Sequence, residues 1–431
     1  MELKGNPSKG LIGTTLGFFF GFAAVSLYGP TAVFFKQSMN LTPSMVGLLV
    51  AIPALSGSLL RIPFGAWVDT TGGKKPFSIL LVLSVIGLGG VFTILLRNYP
   101  DHMSADLYSL VLFFGFLSGC GIATFSVGIG QTSYWFPHSQ QGNALGIYAG
   151  VGNLAPGIFS LLLPLFLKQF GLISAYFAWW MFLIIGTVLF FIIGSNAYYF
   201  QLVKKGHNRE EAIAKAKEMG QEIFPSGTVM DSLKKSAAKG GTWGLVVIYF
   251  TTFGGFIALT AWFPTYWGLY YKLSAVLAGI LTAVYSLLTS AIRVYGGKLS
   301  DKLGGEKVAV YSLGILLVGS VIITISQNLT LSLFAAVIMA TGMGVANAAV
   351  FKLVPEYVPE AVGGAAGWVG GLGAFGGFAI PPVMGYIASW MGAIGYVRGF
   401  MVFIVLSAIC LGTIYILQVR KAAAAALESG S

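Results

Sequence analysis

Charge is what this sequence has least of. Only 9% of its 431 residues are Asp, Glu, Lys or Arg, where a soluble globular domain carries about 25%. That scarcity, with 56% hydrophobic residues, excludes an ordinary water-soluble fold and assigns the chain to lipid. Cysteine is nearly absent. Cys120 and Cys410 each lie inside an apolar run, so they read as small core residues and exclude a disulfide framework or thiolate metal site. Histidine is rarer than in most chains of this length. His102, His138 and His207 all fall in or beside polar stretches. There is no cluster of metal ligands and no nucleophile beside a base. The glycine-rich segment 363–378 lacks the preceding strand and the following Lys-Ser/Thr of a phosphate loop. Nothing in the sequence asks for a cofactor or describes an enzyme.

What is present is apolar length. A helix needs about 20 residues to cross a hydrocarbon core of about 30 Å. Twelve stretches qualify, at roughly 11–36, 43–68, 76–97, 106–136, 140–168, 173–200, 242–270, 274–299, 307–327, 330–354, 362–390 and 394–419. The 59 glycines suit such a bundle, because in lipid helices associate by close backbone approach. The expected fold is therefore all-α, with a six-helix half in 1–200, a cytoplasmic linker in 201–240 and a second half in 241–421. Within the linker, Asn208 to Ile223 is expected to form a charged surface helix. Residues 422–431 read as an appended tail. The first apolar run shows no small-residue cleavage site, so it is expected to be a retained helix.

The net charge of +11 comes from placement, not from a nucleic-acid surface. Lys36, Arg97, Lys168, Lys272 and Arg398 lie on one side of the spans, and Arg61, Arg293 and Lys352 lie within them. The other 17 of the 25 Lys and Arg residues lie on the side of the termini. The positive-inside rule then puts both termini in the cytoplasm of a bacterial-type inner membrane.

Two passages occur twice. Arg61-Ile-Pro-Phe-Gly65-Ala-Trp-Val-Asp69-Thr-Thr-Gly72-Gly73-Lys-Lys75 is answered 232 residues later by Arg293-Val-Tyr-Gly-Gly297-Lys-Leu-Ser-Asp301-Lys-Leu-Gly304-Gly305-Glu-Lys307. Gly142, Ala144, Gly146, Gly150 and Gly152 are answered 221 residues later by Gly363, Ala365, Gly367, Gly371 and Gly373. Small residues four apart share a helix face and permit tight packing. Two matched halves imply a carrier with its site at their interface.

Arg61 and Arg293 stand eight residues before Asp69 and Asp301. At 1.5 Å per residue that is about 12 Å into the membrane, near its midplane. All 14 carboxylates fall in loops, termini or span ends. Two deep guanidinium groups without a carboxylate imply an anion from solution. The alternative is that each snorkels or bonds backbone carbonyls. The planar fork of arginine suits planar oxyanions, so nitrate, nitrite and small carboxylates all remain open on this argument.

The repeated Gly-x3-Asp-x2-Gly-Gly-x-Lys passages resemble the loop motif of the major facilitator superfamily, in which Asp69 and Asp301 would be gating and capping residues, beside Gly65 and Gly297. The stretch from Trp135 to Asn153, its partner from Gly363 to Gly377, and Tyr249-Phe-Thr-Thr-Phe253-Gly-Gly-Phe-Ile-Ala resemble the signatures of the nitrate/nitrite porter family. That resemblance implies that Arg61 and Arg293 bind the anion, with Asn153, Tyr249 and the rings of Phe125 and Phe253 around it. One ring would cover each face of a flat ion. Gly146, Gly150, Gly152, Gly367, Gly371 and Gly373 would be packing residues.

Three local features stand apart from the pattern. Pro156, just after Asn153, removes an amide donor and is a candidate kink. Ala374 replaces the asparagine in the second copy. Lys352 is either a third cation near the path or, preferably, a lysine snorkelling at the cytoplasmic end.

The expected activity is exchange of nitrate for nitrite by alternating access, in a monomer, because two facing cations close together only around an anion. Proton-coupled symport is the nearest rival, although no titratable group lies deep in a span. A small-carboxylate antiporter is the next.

Overall fold

The computed structural model describes residues 3–23, 25–41, 43–225 and 228–429, and among them every expected span is helical, several as two successive helices. Among the described residues, nine helical stretches are long and apolar enough to cross a membrane. One of them, His138–Ile193, holds two spans. Gly171 breaks it with φ 77° and ψ 177°, a conformation that glycine adopts without strain. The chain folds back there, since Phe159 meets Phe182 at 4.9 Å and Phe166 meets Trp179 at 5.8 Å between ring centroids.

The first half runs α1 (Pro7–Ala23) and α2 (Val25–Met39), α3 (Pro43–Leu59) and α4 (Arg61–Thr71), α5 (Lys74–Asn98), α6 (Tyr108–Ser118) and α7 (Cys120–Trp135), then α8 (His138–Gly152) and α9 (Leu154–Ile193). Three short helices follow: α10 (Tyr198–Lys204), α11 (Arg209–Glu218) and α12 (Val229–Ala238). The second half runs α13 (Gly240–Tyr249) and α14 (Gly255–Thr265), α15 (Ala275–Leu303), α16 (Gly305–Ile325), α17 (Leu329–Tyr357), α18 (Val362–Ala374) and α19 (Gly376–Met391), the short α20 (Gly395–Arg398), and α21 (Met401–Ser429). With α1–α2 and α3–α4 as the first two spans, this is the expected all-α fold of twelve spans in two halves.

Two boundaries differ from expectation. The sixth span ends at Ile193 and not near residue 200, because residues 194–197 leave the helix and Tyr198 starts the separate α10. The charged helix expected over Asn208 to Ile223 is α11 alone, ending at Glu218. Asn208 caps it by accepting from the Glu211 N–H at 2.8 Å.

Several spans are interrupted where the sequence removes or crowds a backbone bond. Pro156 lacks the N–H that would reach Gly152, and the helix breaks at Asn153 between α8 and α9. Pro63 similarly follows the break between α3 and α4 that sets Arg61 at the head of α4. Between α13 and α14, residues Phe250–Gly254 form one wide π turn, a distortion often found at functional sites.

Lys4 and Lys421, near the two described ends of the chain, both bond to segments at the ends of spans on one face. Lys4 N–H donates to Gln201 Oε1 at 2.8 Å, and Lys421 pairs with Glu306 at 2.8 Å. The halves join along two crossed seams, α4 against α18 and α8 against α15. A methyl on Gly65 would stand 3.0 Å from Gly367 Cα, and one on Gly146 would stand 3.2 Å from Gly297 Cα. Gly150 adjoins Val294, Gly371 adjoins Ile62, Gly152 adjoins the Phe18 ring and Gly373 adjoins Tyr249. Every packing glycine singled out in the sequence therefore lies against another element, and four of the six lie on the seams.

Candidate functional site

Arg61 and Arg293 point into the space between the halves and are 0% and 1% exposed. Neither forms an ion pair among the described residues. What surrounds them is aromatic. The Arg61 guanidinium carbon stands 4.7 Å from the Phe125 ring centroid and 5.2 Å from that of Phe253. That of Arg293 stands 5.3 Å from Phe125 and 5.6 Å from Phe253. The two cations thus share the same two rings, each contact contributing about 2 kcal/mol when desolvated.

Hydrogen bonding is incomplete. Arg61 donates to the carbonyls of Gly370 at 2.9 Å and Ile122 at 3.3 Å. Those bonds are the carbonyl arrangement weighed above as the alternative, and here it accompanies the inward-facing position. Both terminal nitrogens of Arg293 donate to the Tyr249 hydroxyl at 3.3 Å. The Nε atoms of both arginines are buried without a partner. A guanidinium has five N–H donors, so each retains donors without a protein partner in a buried site. Acceptor oxygens of an anion would satisfy them.

The expected ring arrangement is only half present. Phe125 and Phe253 are nearly parallel, at 16°, but their centroids are 5.5 Å apart. A flat ion between two rings needs about 7 Å, two contact layers of about 3.5 Å. In this conformation the rings stack on each other, and an ion entering between them must part them. Tyr249 continues the stack, 4.8 Å from Phe253 at 8°. The π turn places Tyr249 and Phe253 on one face of the seventh span.

Asn153 stands at the α8–α9 break, 2% exposed. Its carbonyl accepts from Ser290 at 2.7 Å, one turn from Arg293. Its Oδ1 is buried without a partner. The structure brings Asn153 beside the Arg293 helix but shows no bond to either guanidinium.

Asp69 and Asp301 lie apart from this centre, towards the face of the termini. Asp69 Oδ1 accepts from Tyr134 at 2.5 Å and from the Gly363 N–H at 3.1 Å. Its Oδ2 accepts from the Gly364 N–H at 3.2 Å and from the Ser232 hydroxyl. It thus caps α18 of the opposite half, where the helix dipole favours an anion. Asp301 accepts from the Gly142 and Asn143 N–H groups of α8 at 3.1 and 2.7 Å. Lys352 pairs with Asp301 at 3.0 Å and donates to the His138 carbonyl at 2.7 Å. Paired there and 9% exposed, Lys352 stands at the span end expected for it but is engaged by Asp301 and not by the arginine site. It holds the seam.

Sequence reasoning missed four contributors. Phe351 meets Phe125 and Tyr249 edge-on at 5.1 and 4.8 Å. Tyr148 donates to the Phe125 carbonyl at 3.0 Å. Phe18 packs on Phe125 at 5.3 Å. Ser232 reaches Asp69 from α12. Apolar aromatics in spans carry no signal that separates them from lipid-facing ones. Ser232 lies in a segment read as a linker.

The sequence profile of the Major Facilitator Superfamily matches residues 14–378, and again 270–430. A Staphylococcus aureus (strain MRSA252) protein named "Probable nitrate transporter NarT" is 30% identical over 371 residues, covering 85% of each chain. The chain belongs to the nitrate/nitrite porter family of the major facilitator superfamily. A Thermus thermophilus protein named "Probable nitrate/nitrite antiporter NarK1" is 29% identical over 397 residues, covering 86% of this porter and 82% of that protein. Among solved structures, the proton:xylose symporter XylE superposes with a TM-score of 0.74 at 14% identity, over 95% of this chain and 94% of that one. The human organic anion transporter MFSD10 gives 0.68 at 14% identity, over 95% and 100%. At that identity these two show the fold alone. The porter is a multi-pass membrane transporter and not an enzyme.

Proposed function

We propose that this porter exchanges nitrate for nitrite across the cytoplasmic membrane by alternating access, holding the anion between Arg61 and Arg293. The observation that carries the reading is the pair of buried guanidinium groups, one from each half, with unpaired Nε donors and no carboxylate partner among the described residues. The names of the relatives, nitrate transporter and nitrate/nitrite antiporter, narrow the anion. Asn153, Tyr249, Phe125 and Phe253 complete the proposed site. The charge bias of the loops supports cytoplasmic termini. The seam held by Asp69, Asp301 and Lys352 is then the cytoplasmic gate, shut in this conformation. The unit is taken to be a monomer, with lipid and the transported anions as its partners.

Exchange follows from electrostatics. Two like charges in a low dielectric oppose closure of the halves, and an anion removes that opposition. The carrier then crosses its closed state loaded and seldom bare. Purified protein in liposomes tests this. Nitrate uptake should require nitrite or nitrate inside the vesicle, with internal pH unchanged. Uptake into vesicles without internal anion, accompanied by acidification, would replace exchange with proton symport. Competition by formate or oxalate equal to that of nitrite would replace the substrate class.

A further inference from the structure

Asn347 on α17 is a buried amide with no role so far. It is 1% exposed, and its Oδ1 has no hydrogen-bond partner. Its depth is fixed by the contacts between α17 and α15. Gly344 abuts the Thr289 carbonyl. Gly296 would put a methyl 2.8 Å from Val345 Cα and 3.3 Å from Ala348 Cβ. Further on, Lys352 meets Asp301. The two helices run side by side in one direction, so Arg293, between Thr289 and Gly296, is level with the residues between Gly344 and Ala348.

Its direction is fixed by helical periodicity. Four residues turn a helix by about 40° beyond a full circle. Asn347 therefore lies between Met343 and Phe351 on the helix surface. Met343 Cε would stand 3.0 Å from a methyl on Gly255 in the seventh span. Phe351 touches Phe125 and Tyr249 and lies 5.8 Å from the Arg293 guanidinium carbon. The amide thus faces the arginine site, at the depth of Arg293, where that arginine has an unpaired Nε.

We propose that Asn347 is an anion-contacting residue of this site, with its Nδ2 donating to a planar oxyanion and its Oδ1 accepting from Arg293. This deepens the proposed function and rests on it. Each half would then supply an arginine and an asparagine, Asn153 from the first and Asn347 from the second. Directed amide donors favour an oxyanion over a spherical halide, which has no fixed acceptor directions. A site built to hydrogen-bond its ligand rejects one that leaves its polar groups unpaired.

The test is the thermal shift of the purified full chain on addition of nitrate, nitrite, formate or chloride. The anion that stabilises the unmodified chain most is the probe. Asn347→Ala should melt as the unmodified chain does without anion, yet need about tenfold more probe for half the shift, the loss expected for one charge-assisted bond. Asn347→Ser, which keeps a donor, should recover part of that affinity. Asn347→Asp covers the case in which the alanine variant does not fold. Its carboxylate beside Arg293 should abolish the shift. Unchanged probe dependence in Asn347→Ala, or a retained shift in Asn347→Asp, overturns this inference while leaving the anion-carrier reading intact. No shift of the unmodified chain with any of the four anions overturns both.

Discussion

Arg61 and Arg293 use their donors unevenly. Arg61 is steadied by two carbonyls, and Arg293 by one phenol. Tyr249→Phe removes the hydroxyl that orients both terminal nitrogens of Arg293, so the fork is no longer held in one position for the anion and nitrate affinity should fall by about tenfold in a binding titration. Arg61→Lys and Arg293→Lys test the fork itself. A lysine ammonium is a point charge that cannot hold two oxygens in one plane. Each variant should lose at least about 90% of counterflow activity, against about 1.4 kcal/mol per factor of ten, while the protein remains in the membrane. Transport at the unmodified rate in either would remove that arginine from the site. Both arginines were legible in the sequence, because a charge deep in an apolar run needs a reason. The rings were legible only through the family signatures. Phe351 and Tyr148 were not legible, since their burial depends on which face of a span meets the centre, and spans apolar all round do not record that.

The elements meet at glycines, and there the sequence was most informative. The spacing of Gly146, Gly150, Gly367 and Gly371 marked two close-packing faces, and the structure pairs each with the repeated arginine helix of the other half. Gly146→Val would force branched carbons against Gly297 and the Arg293 carbonyl. It should block closure of the α8–α15 seam and abolish transport without reducing the amount of protein in the membrane, measured by counterflow and immunoblot. The least legible element was α12. Its sequence reads as a polar linker, yet its start is built as a capping box in which Thr228 and Asp231 bond each other's backbone. The Thr228 hydroxyl and N–H hold the Asp231 carboxyl below its usual range of 3.8. A carboxylate with a lowered pKa supports its helix above that range and ceases to as pH falls through the lowered value, so the cap of α12 should weaken only when pH drops below the ordinary carboxylate range. Trp368 Nε1 donates to the Leu233 carbonyl at 3.2 Å, and Lys239 pairs with Glu360 at 2.9 Å. With the Ser232 bond to Asp69, these tie α12 to both halves. Ser232→Ala should loosen the seam and raise the exchange rate if opening on that side limits it.

At the scale of the whole molecule, the two-half architecture followed from apolar run length, charge placement and the two repeats. The conformation did not, because under the proposed alternating access one sequence has to encode more than one state. Here the seam is shut on the face of the termini. Asp301→Asn would take from Lys352 the carboxylate it pairs with at 3.0 Å, leaving it the His138 carbonyl and the more distant Glu356, and so would weaken the seam. The population should shift towards opening on that face. Cys120 and Cys410 are buried, so a reporter thiol is readable once both are replaced by alanine. A thiol at Ala149→Cys, which shares the seam face of α8 at seven residues from Gly142 and three from Gly146 and is 0% exposed in this conformation, should react with a water-soluble maleimide faster in the Asp301→Asn background. An unchanged labelling rate would mean that this carboxylate does not hold the seam.

The two aspartates belong to opposite halves, and each grips a helix it is not covalently near. In the proposed rocking of rigid halves, both grips lengthen in the same movement. Their strengths therefore combine into a single barrier. A change that tightens one aspartate slows release of every anion through that face, whichever anion is on board, and cannot by itself favour nitrate over nitrite.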